Sequence, residues 1–194
     1  MVTVVISHEL KFVYLGIPRT ANRATQSALL TLPGAFRLGL LHEMEIPVEC
    51  RDYFTFCCVR NPYRRFLSWY CWRKQPHPWG SPANDMTFEQ YIAASEAALL
   101  GPSTVREYTL NNRLDHVYRF EDLPNSVHSI SQVDGIDAIK LNKFGQKLSR
   151  HWQQFYDQGL ADRVFEICRP DFEEFGYDRG SWVTVHDSHS CWLV

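Results

Sequence analysis

An arginine followed eight residues later by a serine is a spacing that suits anion binding. It occurs in Val59-Arg60-Asn61-Pro62-Tyr63-Arg64-Arg65-Phe66-Leu67-Ser68-Trp69-Tyr70. Pro62 is preset for the first turn of a helix, and Ser68 then falls two turns in. A guanidinium and a hydroxyl brought together there can clamp one phosphate, the guanidinium through two N–H groups. An earlier segment, Pro18-Arg19-Thr20-Ala21-Asn22-Arg23-Ala24, puts two arginines among small and hydroxyl-bearing residues. It too precedes helix-forming sequence. A helix start offers unpaired backbone N–H groups and the positive end of the helix dipole, so both segments read as anion sites. A solvated basic turn and a basic surface helix are the plainer readings of the same residues.

Other phosphate and metal chemistries find less support. The one Gly-x4-Gly spacing, Gly34 to Gly39, is followed by Leu40-Leu41 where a nucleoside-triphosphate loop needs Lys-Ser/Thr. No Gly-x-Gly-x-x-Gly occurs. The six cysteines form no Cys-x-x-Cys pair, and Cys57-Cys58 lies in an apolar run where cysteine acts as a small hydrophobe. The order His186-Asp187-Ser188-His189-Ser190-Cys191 matches no zinc spacing. No metal is expected.

These segments need elements to hold them. Val2 to Ile6 and Phe12 to Ile17 read as strands on either side of a turn at His8-Glu9-Leu10-Lys11. Thr20 to Leu30 is helix material, ended by Pro33-Gly34. Tyr53 to Val59 is long and apolar enough for a strand buried on both faces, and a helix from Tyr63 to Lys74 follows it. Thr87-Phe88-Glu89-Gln90 is a capping-box pattern, with Phe88, Tyr91, Ile92, Ser95 and Leu99 marking one helical face. His116 to Phe120 reads as a short strand, and Leu123, Val127, Ile130 and Val133 as a helix. A late helix over Leu160 to Cys168 is renewed after Pro170 and stopped by Gly176. Strands alternating with helices predict an α/β fold, with helices layered on both faces of a mostly parallel sheet. Such sheets bind ligands at the carboxyl ends of their strands, where both basic segments fall.

At 194 residues and 45% hydrophobic, with 22% charged, the chain has the profile of a single soluble domain and not of a disordered or fibrous protein. Net charge is −2, yet residues 1–80 hold ten Lys/Arg against five Asp/Glu, and residues 81–194 hold ten against seventeen. The anion partner therefore belongs to the N-terminal half, and a nucleic-acid partner is not expected. No apolar run reaches the ~18–20 residues that a membrane span needs. The start has neither a basic region nor a long apolar core, so the expected location is cytoplasmic.

The two basic segments together resemble the PAPS-dependent sulfotransferases, in the style of the carbohydrate and heparan sulfate enzymes and their bacterial relatives. Ile17-Pro18-Arg19-Thr20-Ala21 is similar to the family's Pro-Lys-Thr-Gly/Ala loop, and Phe54 to Ser68 to its strand with the Arg-(x7)-Ser clamp. Tyr118-Arg119-Phe120-Glu121-Asp122-Leu123 and Asp171 to Tyr177 look like later landmarks. The resemblance covers roughly residues 12–178. It implies a P-loop-NTPase-like three-layer fold and 3′-phosphoadenosine 5′-phosphosulfate (PAPS) as sulfuryl donor. It puts the 3′-phosphate on Arg60 and Ser68, and the 5′-phosphosulfate on the amides of Thr20, Ala21, Asn22, Arg23 and Ala24. Arg19 stands where the family has lysine and would stabilise leaving-group charge. His42, a short segment before the Arg60 strand, corresponds to the family's catalytic base in several branches, with Glu43 and Glu45 as rival bases. Imidazole titrates near ~6.5 and can accept a hydroxyl proton.

The acceptor is expected to be a carbohydrate or small molecule. Trp69, Trp72, Arg73 and Trp79 set aromatic faces beside cations, as a sugar ring with acid groups would require, though the same residues could cover the edge of the core. Asn142, Lys143, Lys147 and Arg150 form a further basic patch. The competing functions are a kinase of related fold, which the missing Lys-Ser/Thr opposes, and a non-catalytic module binding adenosine bisphosphate or a sulfated glycan.

Overall fold

The computed structural model describes residues 2–41, 46–75, 85–110, 112–123, 127, 130, 133 and 152–183. Its sheet has five strands in the order β3-β1-β2-β4-β5. They are β1 (Val2–Ser7), β2 (Phe12–Gly16), β3 (Ala35–Leu41), β4 (Phe54–Val59) and β5 (His116–Arg119). β1 is antiparallel to both its neighbours, whereas β2–β4 and β4–β5 are parallel. Four strands therefore point one way and β1 alone runs against them. The helices are α1 (Asn22–Leu29), α2 (Pro62–Arg73), α3 (Phe88–Glu96), α4 (Val105–Thr109) and α5 (Gln158–Phe175).

Strand alternation divides the core. On one face Val5, Phe12, Tyr14, Phe56, Cys58 and Tyr118 pack under Ala24, Ala28 and Leu29 of α1. On the other Val4, Val13, Leu15, Cys57 and Val59 meet Ile46, Cys50 and Val105 of α4. Successive side chains point to opposite faces, so a strand as uniformly apolar as β4 fills both layers. A third cluster lies among helices: Tyr63, Phe66 and Tyr70 of α2 with Tyr91 of α3 and Val164, Cys168 and Phe172 of α5. It seats α2, and thereby Ser68, on α5.

Several expectations are met and others change. The strands at 2–6, 12–17, 53–59 and 116–120 form within a residue or two of their expected bounds. The capping box at Thr87 and Gln90 is present in both halves. Leu99 does not continue its helix face: α3 ends at Glu96, Ala98 takes a left-handed φ of 55°, and Leu99 is exposed. The late helix is not broken and renewed, because α5 runs straight through Pro170. β3 and α4 answer to no expected element. The helix expected from Leu123 falls mostly outside the described residues.

Gly16 closes β2 at a crowded point. A Cβ there would lie 2.7 Å from the Thr3 carbonyl oxygen and 2.1 Å from Asn22 Oδ1. The asparagine could swing away, but the β1 backbone could not. Gly16→Ala is thus expected to destabilise by about 1–3 kcal/mol, seen as a fall of about 2–12 °C in the melting temperature. An unchanged melt would show that the hairpin has slack that these distances do not allow.

Candidate active site

The loop between β2 and α1 is braced from within. Thr20 is fully buried, and its hydroxyl donates to the Ile17 carbonyl at 2.8 Å. Asn22 Nδ2 donates to the Gly16 carbonyl at 3.1 Å, and its Oδ1 accepts from Gln26 at 2.6 Å. The Asn22 side chain is therefore occupied in holding the loop, and its backbone amide is the group left to face a ligand. The Ala24 amide donates to the Ala21 carbonyl at 2.9 Å, inside the first turn. Arg19 and Ala21 have φ values of 70° and 59°, a left-handed conformation that residues with a Cβ resist. No side chain caps α1 and its first turn holds no acid, so the positive end of the helix dipole is not offset by the chain itself.

The second junction is different. Asn61 caps α2 by accepting from the Arg64 amide, and the Asn61 amide donates to Glu121 Oε1 at 3.0 Å. This helix end is already supplied with acceptors, so an anion here must be held by side chains. Arg60 is 4% exposed. Its Nη1 donates to the Arg19 carbonyl at 3.1 Å, its guanidinium lies 4.4 Å from the Phe120 ring centre, and its Nε has no partner among the described residues. Burial lowers its pKa, and the neighbouring charges of Arg64 and Arg19 push the same way against Glu121. Ser68 is fully buried, and its Oγ accepts from Arg19 Nε at 2.9 Å. Arg19 thus links the two: Arg60 holds its carbonyl and Ser68 its side chain. Burial also lowers the pKa of Arg19; Cys71 opposes this and Arg23 adds to it.

Beneath the junctions lies Arg65, which the sequence offered only as one more basic residue of the helix. It is 2% exposed. Its Nη1 is 2.8 Å from Asp171 Oδ2, its Nη2 donates to the Ser103 carbonyl at 2.7 Å, and its Nε reaches the Pro18 carbonyl at 3.5 Å. Asp171 Oδ1 in turn accepts from the Val105 amide at 2.8 Å. One buried guanidinium therefore ties α2 to α5, to the entry of α4 and to the first basic loop. Burial pushes the Asp171 carboxyl up despite Arg65 beside it.

With the two junctions joined through Arg19, the comparison with known sequences decides the family. The model of the sulfotransferase family matches residues 2–178. The chain belongs to the sulfotransferase family. Neither the curated proteins nor the solved structures gave a match. Membership supports sulfuryl transfer as the general activity, and the matched span takes in both junctions, Glu121 and Asp171.

In this sulfotransferase three of the four residues expected to meet the acceptor lie on the far half of α2. Trp69 is buried and Trp72 and Arg73 are half-buried. The two indoles meet edge-on with centroids 5.2 Å apart, and the Arg73 guanidinium lies 5.7 and 5.3 Å from them. That stacking holds the cation against the indoles of the last turns of the helix. His42, Glu43, Glu45, Trp79, the Asn142–Arg150 patch and the His186–Cys191 run lie outside the described residues. Among the described residues no group of three or more His, Cys, Asp and Glu could hold a metal, and no helix is long and apolar enough to cross a membrane. A cavity of about 720 Å³ is lined by Val59, Arg106, Asn112, Val117, Arg119 and Glu174 among others. It flanks the edge strand β5, and none of Arg19, Arg60 or Ser68 lines it.

Proposed function

We propose that this sulfotransferase takes PAPS as donor and passes its sulfuryl group to a hydroxyl of a carbohydrate or small molecule. The observation that supports this most is the buried Arg60, whose unpartnered Nε sits one hydrogen bond from Arg19 and two from Ser68. A buried cation lacking a full set of acceptors is unfavourable unless an anion completes it. Ser68 adds a hydroxyl whose own proton has no acceptor among the described residues. Those two would hold the 3′-phosphate. The uncapped start of α1, with the amides from Thr20 to Arg23, suits the phosphosulfate at the other end.

PAPS supplies an activated sulfuryl group when bound. Within that site His42 is the base proposed for the acceptor hydroxyl, whose oxygen bonds to sulfur as its proton passes to the imidazole. The bond from sulfur to the bridging phosphate oxygen breaks, and Arg19 faces the charge left on that oxygen. Arginine keeps its proton at any working pH, so Arg19 acts by charge and hydrogen bonding alone. Trp69, Trp72, Arg73 and Trp79 are proposed to receive the acceptor.

Thermal-shift titration tests the donor site. Adenosine 3′,5′-bisphosphate should raise the melting temperature well above the effect of equal AMP or ATP, because a ligand that binds only the native state stabilises it by mass action. Equal shifts from all three would count against the reading. Labelled-sulfate transfer from PAPS to an acceptor panel then separates an enzyme from a binding module. Ser68→Ala should weaken the bisphosphate about 10-fold, the lower end of the worth of a hydrogen bond to a charged group. Calorimetry giving the wild-type affinity would remove Ser68 from the clamp.

A further inference from the structure

Arg64 has no part in the clamp so far described, yet it is positioned for one. It sits one turn into α2 beyond Arg60, its side chain 22% exposed. Its guanidinium lies 5.6 Å from the same Phe120 ring that Arg60 covers at 4.4 Å, and 5.9 Å from the Trp152 ring. Its Nε is buried with no hydrogen-bond partner among the described residues. Its carboxylate contact among the described residues, Glu121 Oε1 at 3.9 Å, is too long for a hydrogen bond. Both Glu121 oxygens are engaged elsewhere, Oε1 by the Asn61 amide and Oε2 by the Tyr177 hydroxyl at 3.1 Å.

The charges make the point sharper. Arg19, Arg60 and Arg64 are coupled through the hydrogen bonds and the shared ring, and Glu121 is the acid that opposes them. Arg65 is matched by Asp171 and does not enter the count. Among the described residues these three cations meet one opposing carboxylate, with Arg23 a further cation near Arg19, so at least two positive charges are unmatched, and a phosphate monoester above its second pKa of ~6 carries about two negative ones.

We infer that Arg64 is a third arm of the phosphate clamp, loosely held by Glu121 and aromatic rings until a phosphomonoester dianion takes it. This rests on the donor reading above. The site would then select a terminal phosphate over groups of single charge, such as a phosphodiester or a sulfate ester. Arg64 is a binding residue here and does not touch the reacting sulfur.

The test is calorimetric titration with adenosine 3′,5′-bisphosphate and, separately, with AMP. Arg64→Gln should lose about 10- to 100-fold in bisphosphate affinity while AMP affinity and the unliganded melting temperature stay near wild type. Arg64→Lys, which keeps the charge but not the fork, should recover part of the loss, and it serves if the glutamine variant folds poorly. Glu121→Gln should tighten the bisphosphate severalfold by removing the competing charge. Wild-type bisphosphate affinity in Arg64→Gln overturns the inference, as does weaker binding in a folded Glu121→Gln. If the wild-type chain cannot tell the bisphosphate from AMP, the donor reading falls and this inference with it. If the wild type discriminates and Arg64→Gln still discriminates equally, this inference alone fails.

Discussion

Arg60→Ala is expected to reduce affinity for adenosine 3′,5′-bisphosphate by about 100-fold or more and to leave AMP binding nearly unchanged. Truncating one partner of a buried, hydrogen-bonded charge pair costs about 2–5 kcal/mol, and Arg60 is a deeply buried cation at the junctions with no carboxylate hydrogen-bonded to it among the described residues. Stability should respond far less than binding. Without an anion, burial and the charges of Arg64 and Arg19 disfavour the Arg60 guanidinium, so its removal offsets the lost bond to the Arg19 carbonyl. The unliganded variant should melt within a few degrees of wild type while losing its ligand-induced shift. Calorimetry and thermal melts on one preparation check both halves. A variant that keeps full bisphosphate affinity would dissolve the clamp assignment.

The largest stability effect is expected at Asp171. Asp171→Ala leaves the Arg65 charge buried and unmatched, which costs about 3–5 kcal/mol, or about 6–20 °C in melting temperature for a chain of this length. It also strips the Val105 amide of its acceptor. The double variant Arg65→Met/Asp171→Ala should recover part of that loss, because the stranded charge goes with its partner. The rise of the Asp171 pKa on burial says the same from the other side: desolvation outweighs attraction, so the pair fixes geometry more than it adds stability. Thermal melts of both singles and the double measure the coupling. Strict additivity would mean that Arg65 and Asp171 do not act as a unit.

Local pattern made the site's outline legible. The aromatic run ending at Val59, the break at Arg60-Asn61-Pro62 and the helix carrying Ser68 all follow from neighbouring residues, and they stand where the sequence puts them. β3 was not legible, because Ala35-Phe36-Arg37-Leu38-Gly39 lacks clean alternation and its strand form comes from pairing with β1. α4 does carry a local signal, since Thr104 and Glu107 make a capping box, complete in both halves. The second helix start looked like an open anion site, but the acid that occupies it, Glu121, lies 60 residues away. The partner that turns Arg65 from a surface cation into a buried strut is 106 residues away. Contacts of that range leave no periodic trace in a single sequence.

The reversed direction of β1 bears on how the molecule assembles. β1 joins β2 across a four-residue turn, so this hairpin closes through near neighbours, whereas the pairing of β1 with β3 reaches as far as Val2 with Leu41. β4 and β5 enter only by crossovers from distant parts of the chain. Short-range pairings form sooner than long-range ones, and amides of Val4 to Leu15 should gain protection in pulse-labelled refolding before those of Phe56 to Val59. On that timetable the turn after β2 that bears Arg19 is shaped before Arg60 is placed at the end of β4, so the two junctions are joined only once the first hairpin has closed.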